Sequence, residues 1–291
     1  MIIAENTGLS SSYFQVTAPA RKGGGVMVVY RKEEMQRLEE AAGQAGVSLS
    51  RLMQGAGEAL AQEIACRVRP LAGCRVVLLC GKGNNGGDGF VCAGKLTALG
   101  ARCAVVLVQG EPAAQLAREA FLTLPPGLLT VDALQDPDAA RQVVDRAQVL
   151  VDCVFGFGFR GSLSGSAAQA LAWANAREGC LKIAADLPSG AECDSARVSP
   201  DTFRAAVTVA FTGLKPAHVS YPAREYCGET VVRPVGIPAA LLESADPAFF
   251  RTGPQDVRPW LAHAPAQANK GDLGKLLLAA GSWGMAGASR S

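Results

Sequence analysis

The stretch Arg75-Val-Val-Leu-Leu-Cys80-Gly81-Lys-Gly83-Asn84-Asn85-Gly86-Gly87-Asp88-Gly89-Phe90 constrains the fold more than any other part of the chain. An unbroken apolar run reads as a buried strand, passes into a loop rich in glycine and asparagine, and continues as a segment with helical apolar spacing. Strand, loop and helix in that order form the repeating unit of an α/β domain, and open α/β sheets take their ligands at the carboxyl ends of the strands. Five glycines let the backbone approach a ligand closely, and free N–H groups at a helix start attract anions, phosphate above all.

The rest of the chain repeats the alternation. Apolar runs near 75–80, 102–108, 148–154, 181–186 and 206–211 are predicted strands, and 113–122, 139–147 and 166–178 carry helical spacing between them. Two amphipathic helices precede them in 32–69, the second from 49 to 68. This pattern predicts an α/β class, a three-layer α/β/α Rossmann-like fold with a mostly parallel sheet. Residues 1–26 have no apolar periodicity and end near the breaker cluster Arg21-Lys-Gly-Gly-Gly25, which reads as a disordered tail with Met27 as a plausible true start.

Composition excludes several classes. With 291 residues and 49% hydrophobic content, the chain can build a substantial core. A net charge of +2 gives no electrostatic reason to expect nucleic acid or a membrane surface. No apolar run is long enough to span a bilayer and no secretory layout opens the chain, so a cytoplasmic location is expected. The nine cysteines are odd in number and lack any Cys-x-x-Cys pair, so they read as reduced core residues. The two histidines, His218 and His263, stand outside the chemistry-bearing motifs, and Ser189 lacks a Gly-x-Ser-x-Gly elbow, which argues against a serine or zinc hydrolase.

Gly81-x-Gly83-x-x-Gly86 fits the dinucleotide fingerprint formally, yet three features oppose an ordinary redox site. The next apolar run ends at Gln109 without an acidic residue to grip a ribose, although Glu111 follows two positions later. Asp88 stands where the helix is predicted to begin and would repel a phosphate on that turn. Asn84 and Asn85 add amides that the fingerprint does not need. A kinase-type phosphate loop is excluded because no Gly-Lys-Ser/Thr follows.

Three further residues stand at predicted strand ends. Asp152 closes an otherwise apolar strand and is either satisfied by backbone N–H groups or holds a cation; both readings stay open. Asp186 is either an Asx-turn residue or a general acid/base facing the cleft. Lys215 follows the run at 207–211, where a lone lysine is ordinarily solvated.

The loop Gly81-x-Gly83-Asn84-Asn85-Gly86-Gly87-Asp88-Gly89 resembles the signature of the NAD(P)H-hydrate epimerase family, the N-terminal half of bifunctional nicotinamide-nucleotide repair enzymes. Three later segments match that family in order: Val151-Asp152-x-x-Phe155-Gly156-x-Gly158, Asp186-Leu-Pro188-Ser189-Gly190, and Thr208-Val-Ala-Phe-Thr-Gly-Leu-Lys215. The leading helix Leu49-Ser-Arg-Leu52-Met53-Gln-Gly55-Ala56-Gly57 is similar too. The resemblance implies an isomerase acting on the R and S hydrates of NADH and NADPH (NADHX and NADPHX) at C6 of the reduced ring. It assigns Asp186 and Lys215 to catalysis and Asn85, Asp152 and Ser189 to a potassium ion. It assigns substrate contacts to Asn84, Asn85, Gly86, Gly87, Asp88 and Asp186, and to the turn Gly156, Phe157, Gly158, Phe159, Arg160, Gly161 and Ser162, with Arg160 available for a phosphate. A small-molecule substrate, no nucleic acid, no membrane and an open option of a homodimer complete that expectation. The competing readings are an NAD(P)-dependent oxidoreductase on the same loop and a catalytically silent nucleotide-binding or interaction module.

A second resemblance begins late. Asn269-Lys270-Gly271-Asp-Leu-Gly274 through Gly281-Ser282-x-Gly284-Met285-x-Gly287-Ala288 is similar to the opening of the ADP-dependent NAD(P)H-hydrate dehydratase domain, a ribokinase-like fold, with Asn269 where that family usually has histidine. The expected organisation is therefore a tail at 1–26, an epimerase domain at 27–244, and a linker with a truncated dehydratase beginning at 245–291, without dehydratase activity.

Overall fold

The computed structural model describes residues 27–258 and Gln267. The expected tail at 1–26 and the motif at 269–288 lie outside the described residues. The chain divides into two compact units. The larger, Met27–Arg251, contains every strand and helix discussed below. The described part of the other, from Thr252, carries the single turn of helix Pro254–Val257.

The larger unit begins with β1 (Met27–Val29), α1 (Lys32–Gln44), α2 (Leu49–Arg67), β2 (Arg75–Cys80) and α3 (Asn84–Ala98). It continues through β3 (Arg102–Leu107), α4 (Gln115–Leu122), β4 (Leu129–Asp132), α5 (Pro137–Asp145), β5 (Val149–Cys153), α6 (Gly165–Ala176), β6 (Leu181–Ala185) and β7 (Val207–Phe211). The short helices α7 (Pro216–Val219) and α8 (Arg224–Cys227), then β8 (Glu229–Arg233), α9 (Ala239–Ser244) and β9 (Phe249–Arg251), complete it. Local chemistry sets several of these boundaries. Ser48 Oγ accepts the Arg51 N–H at 3.2 Å to cap α2, and Asp136 Oδ1 accepts the Ala139 N–H at 2.9 Å ahead of Pro137 in the first turn of α5.

Seven strands form one sheet in the order β4-β3-β2-β5-β6-β7-β8, all pairs parallel. Side-chain parity sorts the layers. Val76, Leu78 and Cys80 of β2 pack with α1, α2, α3 and α4 on one face, while Val77 and Leu79 pack with α5 and α6 on the other. The chain is thus a three-layer α/β/α fold of Rossmann-like type, as the alternation predicts. β1 and β9 form a separate antiparallel pair, so the compact unit runs on past Ser244 to Arg251.

The order reverses between β2 and β5. From β2 the chain winds outward through β3 to β4, then returns to the other side of β2 and winds outward through β6, β7 and β8. The segments that leave β2 and β5 therefore diverge, and the crevice between them is the topological switch point.

The glycine-rich segment differs from the sequence expectation in one respect. Helix α3 starts at Asn84, so Asn84 to Asp88 are helical rather than a loop, and Asp88 lies more than a turn inside. Close packing is the reason. A Cβ on Gly86 would stand 1.9 Å from Gly81 O, and a Cβ on Gly81 would stand 2.2 Å from Val154 O. The helix start is pressed onto the ends of β2 and β5 at a distance only glycine permits.

Candidate functional site

A cavity of about 740 Å³ opens at the switch point. The start of α3 contributes Gly83, Asn84, Asn85 and Asp88, the turn after β5 contributes Gly156 to Arg160 and Ser162, and α1 contributes Met35, Gln36 and Glu39. Asp186 and Lys215 line the same cavity from the ends of β6 and from beyond β7. The structure therefore brings together most residues that the sequence singles out. Gly86 and Gly87 do not face the cavity; both are buried, the first against Gly81 and the second where a Cβ would meet Met53. Gly161 is turned toward Glu192, whose Oε1 accepts its N–H at 2.8 Å.

Asp186 is held in an unusual backbone conformation. Its φ is +62°, a left-handed geometry that costs a residue with a Cβ about 1–2 kcal/mol. Every polar atom around it opposes relaxation. The Asp186 N–H donates to Val209 O at 2.8 Å, and its own carbonyl lies 2.7 Å from His218 Nε2. Oδ1 accepts the Lys215 ammonium at 2.5 Å and the Phe211 N–H at 3.3 Å. Oδ2 is buried and has no partner among the described residues. Lys215 is fully buried, and its Nζ also donates to Phe211 O at 2.7 Å. A lone lysine is ordinarily solvated at such a position; Lys215 instead forms a buried ion pair whose carboxylate keeps one oxygen without a partner among the described residues.

His218, which stands outside the chemistry-bearing motifs of the sequence, fixes this pair. Its Nδ1 accepts the Lys215 backbone N–H at 2.8 Å, so the ring proton resides on Nε2 and is donated to Asp186 O. Burial, aided by the Lys215 charge, lowers its pKa to about 4, and the imidazole stays neutral. The sequence signal is the Lys215-Pro216-Ala-His218 spacing, which returns the imidazole to the backbone N–H ahead of a proline-started turn.

Asp152, at the end of β5, is fully buried and sits in a different arrangement. Oδ1 accepts the Ser189 hydroxyl at 2.6 Å and the Val154 N–H at 3.1 Å, and Oδ2 accepts the Ser189 N–H at 2.7 Å. Ser189 Oγ in turn accepts the Phe155 N–H at 2.8 Å. No ion pair to a basic side chain is formed among the described residues. Burial raises the Asp152 pKa to about 6 against these hydrogen bonds. Asn85 borders the same turn, with Oδ1 3.4 Å from where a Gly156 Cβ would stand, and its Nδ2 is buried without a partner among the described residues. Carboxylate, amide and hydroxyl oxygens are donors of the kind a hard cation takes, while among the described residues no group of three or more His, Cys, Asp or Glu could hold a metal ion.

Glu39, Gln109 and Thr212 also line the cavity, although no sequence motif assigns them a role. Gln109 Oε1 and Thr212 Oγ1 are buried without partners among the described residues, and both residues line the cavity. Thr212 has a φ of +67°, a second strained position beside the ion pair. The Glu39 carboxyl is pushed up to about 7, first by burial and then by the Asp186 charge, with Lys215 opposing. Of the nine cysteines none is in a disulfide; six are buried, and Cys66 is exposed rather than core.

Comparison with known proteins fits this geometry. The family described as YjeF-related protein N-terminus matches residues 49–217. The bifunctional NAD(P)H-hydrate repair enzyme Nnr of Pyrobaculum aerophilum is 36% identical over 260 residues, covering 88% of this chain and 50% of that protein. The NAD(P)H-hydrate epimerase of Pirellula staleyi is 33% identical over 228 residues, covering 75% of this chain and 96% of that protein. The chain belongs to the YjeF-related N-terminal family. It spans about half the length of the bifunctional family members it matches. The crystal structure of yeast ynu0, YNL200c, shares the fold, with a TM-score of 0.62 at 22% identity over 77% of this chain and 96% of that one. The family match includes Asn85, Asp152, Asp186, Ser189 and Lys215; Glu39 precedes it and His218 follows it.

Proposed function

We propose that this chain is an NAD(P)H-hydrate epimerase that interconverts the R and S hydrates of NADH and NADPH. The observation that carries the proposal is the Asp186–Lys215 pair, with its unpartnered Oδ2, in a cavity at the switch point of a chain from this family. Inversion at C6 can proceed by loss and return of water through a cationic ring. A carboxylate beside the ring stabilises that cation and carries a proton, and the ammonium orients the departing oxygen.

The other assignments belong to the same proposal. The free N–H groups at the start of α3, with Asn84 and Asn85, and the turn from Gly156 to Ser162 with Arg160 would hold the nucleotide and its phosphates. Asn85, Asp152 and Ser189 would hold potassium, which supplies a compensating positive charge beside the nucleotide turn. No helix among the described residues is long and apolar enough to cross a membrane. A cytoplasmic location and a homodimer are part of the proposal, the latter tested by the mass of the protein in solution. The direct test is incubation with one purified hydrate epimer while the other is followed by chromatography. Approach to a common mixture from either side is expected; interconversion no faster than the spontaneous rate would overturn the reading.

A further inference from the structure

We infer that Glu39 is a second catalytic residue of this site, the proton donor to the departing C6 oxygen, with Asp186 as its partner base. The inference rests on the epimerase reading above. Glu39 lies on α1, whose Met35, Leu38 and Ala42 are buried in the core, and it is half-buried at the cavity wall beside that apolar stripe. Asp186 and Lys215 belong to a different wall, built from the strand ends. The charged groups facing Glu39 are Asp186 after β6, Lys215 before α7 and Asp88 on α3. The Lys215 ammonium is already committed to Asp186 Oδ1 and Phe211 O, so Glu39 is not its ion-pair partner.

The chemistry requires two groups. Inversion takes oxygen away from one face of the ring and returns it to the other, so a donor on one side and an acceptor on the other serve the two half-steps. Asp186 offers a carboxylate oxygen without a partner among the described residues, and Glu39 lines the same cavity from α1. Carboxyl groups in unlike surroundings divide acid and base roles in this way, and Glu39, pushed up to about 7, carries a proton over much of the neutral range. In the forward step the Glu39 proton passes to the C6 hydroxyl, and the C6–O bond breaks with its electron pair to release water. The ring nitrogen lone pair forms the N–C6 double bond. A water then adds to C6 from the other face and gives its proton to Asp186 Oδ2, and the nitrogen recovers its lone pair. Proton return from Asp186 to Glu39 through water resets the site; the reverse reaction exchanges the roles.

The test is the pH dependence of epimerisation by the full chain and by Glu39→Gln, with thermal melting of both. The unmodified chain should lose turnover above about pH 7 as Glu39 gives up its proton, and Glu39→Gln should be slower by a factor on the order of 100 and lack that alkaline limb. Glu39→Asp should restore part of the rate. A carboxyl whose folded pKa is raised stabilises the fold below its unfolded value and loses that contribution as pH rises through 7. Glu39→Gln should therefore melt no lower than the unmodified chain at alkaline pH, which separates a loss of turnover from a loss of folding. Unchanged turnover and an unchanged alkaline limb in Glu39→Gln would overturn this inference alone; failure of the unmodified chain to epimerise would overturn both it and the functional reading.

Discussion

Asp152 and Asp186 end neighbouring strands and are almost equally buried, yet their oxygens are spent differently. Asp152 accepts three hydrogen bonds from the backbone and Ser189, and no basic side chain pairs with it among the described residues. Asp186 has a lysine on one oxygen and, among the described residues, no partner on the other, and its backbone is strained. An aspartate with satisfied oxygens and no basic partner among the described residues suits the cation proposed beside it. One with an ion pair on one oxygen, and no partner on the other among the described residues, lines a cavity and suits the proton-carrying role proposed for it. The distinction comes from the partners, since residue type and burial are shared.

The comparison breaks most directly at Asp186. Asn tolerates the left-handed backbone and keeps an oxygen for Lys215, so Asp186→Asn should fold while turnover falls by a factor on the order of 100 or more. Lys215→Ala should fall by a similar factor. Leaving a buried aspartate unpaired costs about 3–5 kcal/mol, so its melting temperature should drop as well. Near-normal epimerisation by Asp186→Asn, measured by chromatography, would remove the chemical role from this half of the site.

At Asp152 the expected effect is smaller on turnover and larger on stability. Asp152→Ala deprives the Ser189 N–H, the Ser189 hydroxyl and the Val154 N–H of their acceptor, at about 1–3 kcal/mol for each donor left unsatisfied. Replacing potassium by a bulky organic cation should weaken activity or melting temperature of the unmodified chain and leave Asp152→Ala indifferent. An unmodified chain that is equally indifferent to the cation would reduce Asp152 to a backbone cap.

How much of this was legible in the sequence follows the same physics. The five central strands were readable because a parallel strand covered on both faces is continuously apolar. The two missed strands of the main sheet, β4 and β8, are its edges, where Leu129-Thr-Val-Asp132 and Glu229-Thr-Val-Val-Arg233 mix polar and apolar residues. The start of α3 was placed too late because five glycines read as a loop, and nothing local announces that Gly86 rests on Gly81. The strand ends that carry Asp152, Asp186 and Lys215 can be counted from the alternation, but the residues alone leave ordinary structural readings open and only the family resemblance gives them roles. Glu39 and His218 were not legible. A glutamate on an amphipathic helix looks solvated until the helix is known to wall a cavity, and a histidine that satisfies backbone groups leaves no pattern beyond its spacing.

His218 sharpens the comparison from the Asp186 side, with the smallest effect on turnover. It touches no cavity space and acts by holding the Lys215 N–H and the Asp186 carbonyl in place. His218→Gln should lower turnover by roughly tenfold through misplacement of the pair. It should also cost about 1–3 kcal/mol at neutral pH where a buried backbone group loses its partner. The acid side distinguishes this role from simple packing. A histidine whose folded pKa is depressed to about 4 stabilises the fold above its unfolded value near 6.5, and that contribution is lost as pH falls through 4. The unmodified chain should therefore lose stability across that window more steeply than His218→Gln, read as melting temperature against pH. Parallel curves would mean that the imidazole is already exposed or charged in the folded protein, and that the neutral bridge between Lys215 and Asp186 is not what holds the left-handed turn.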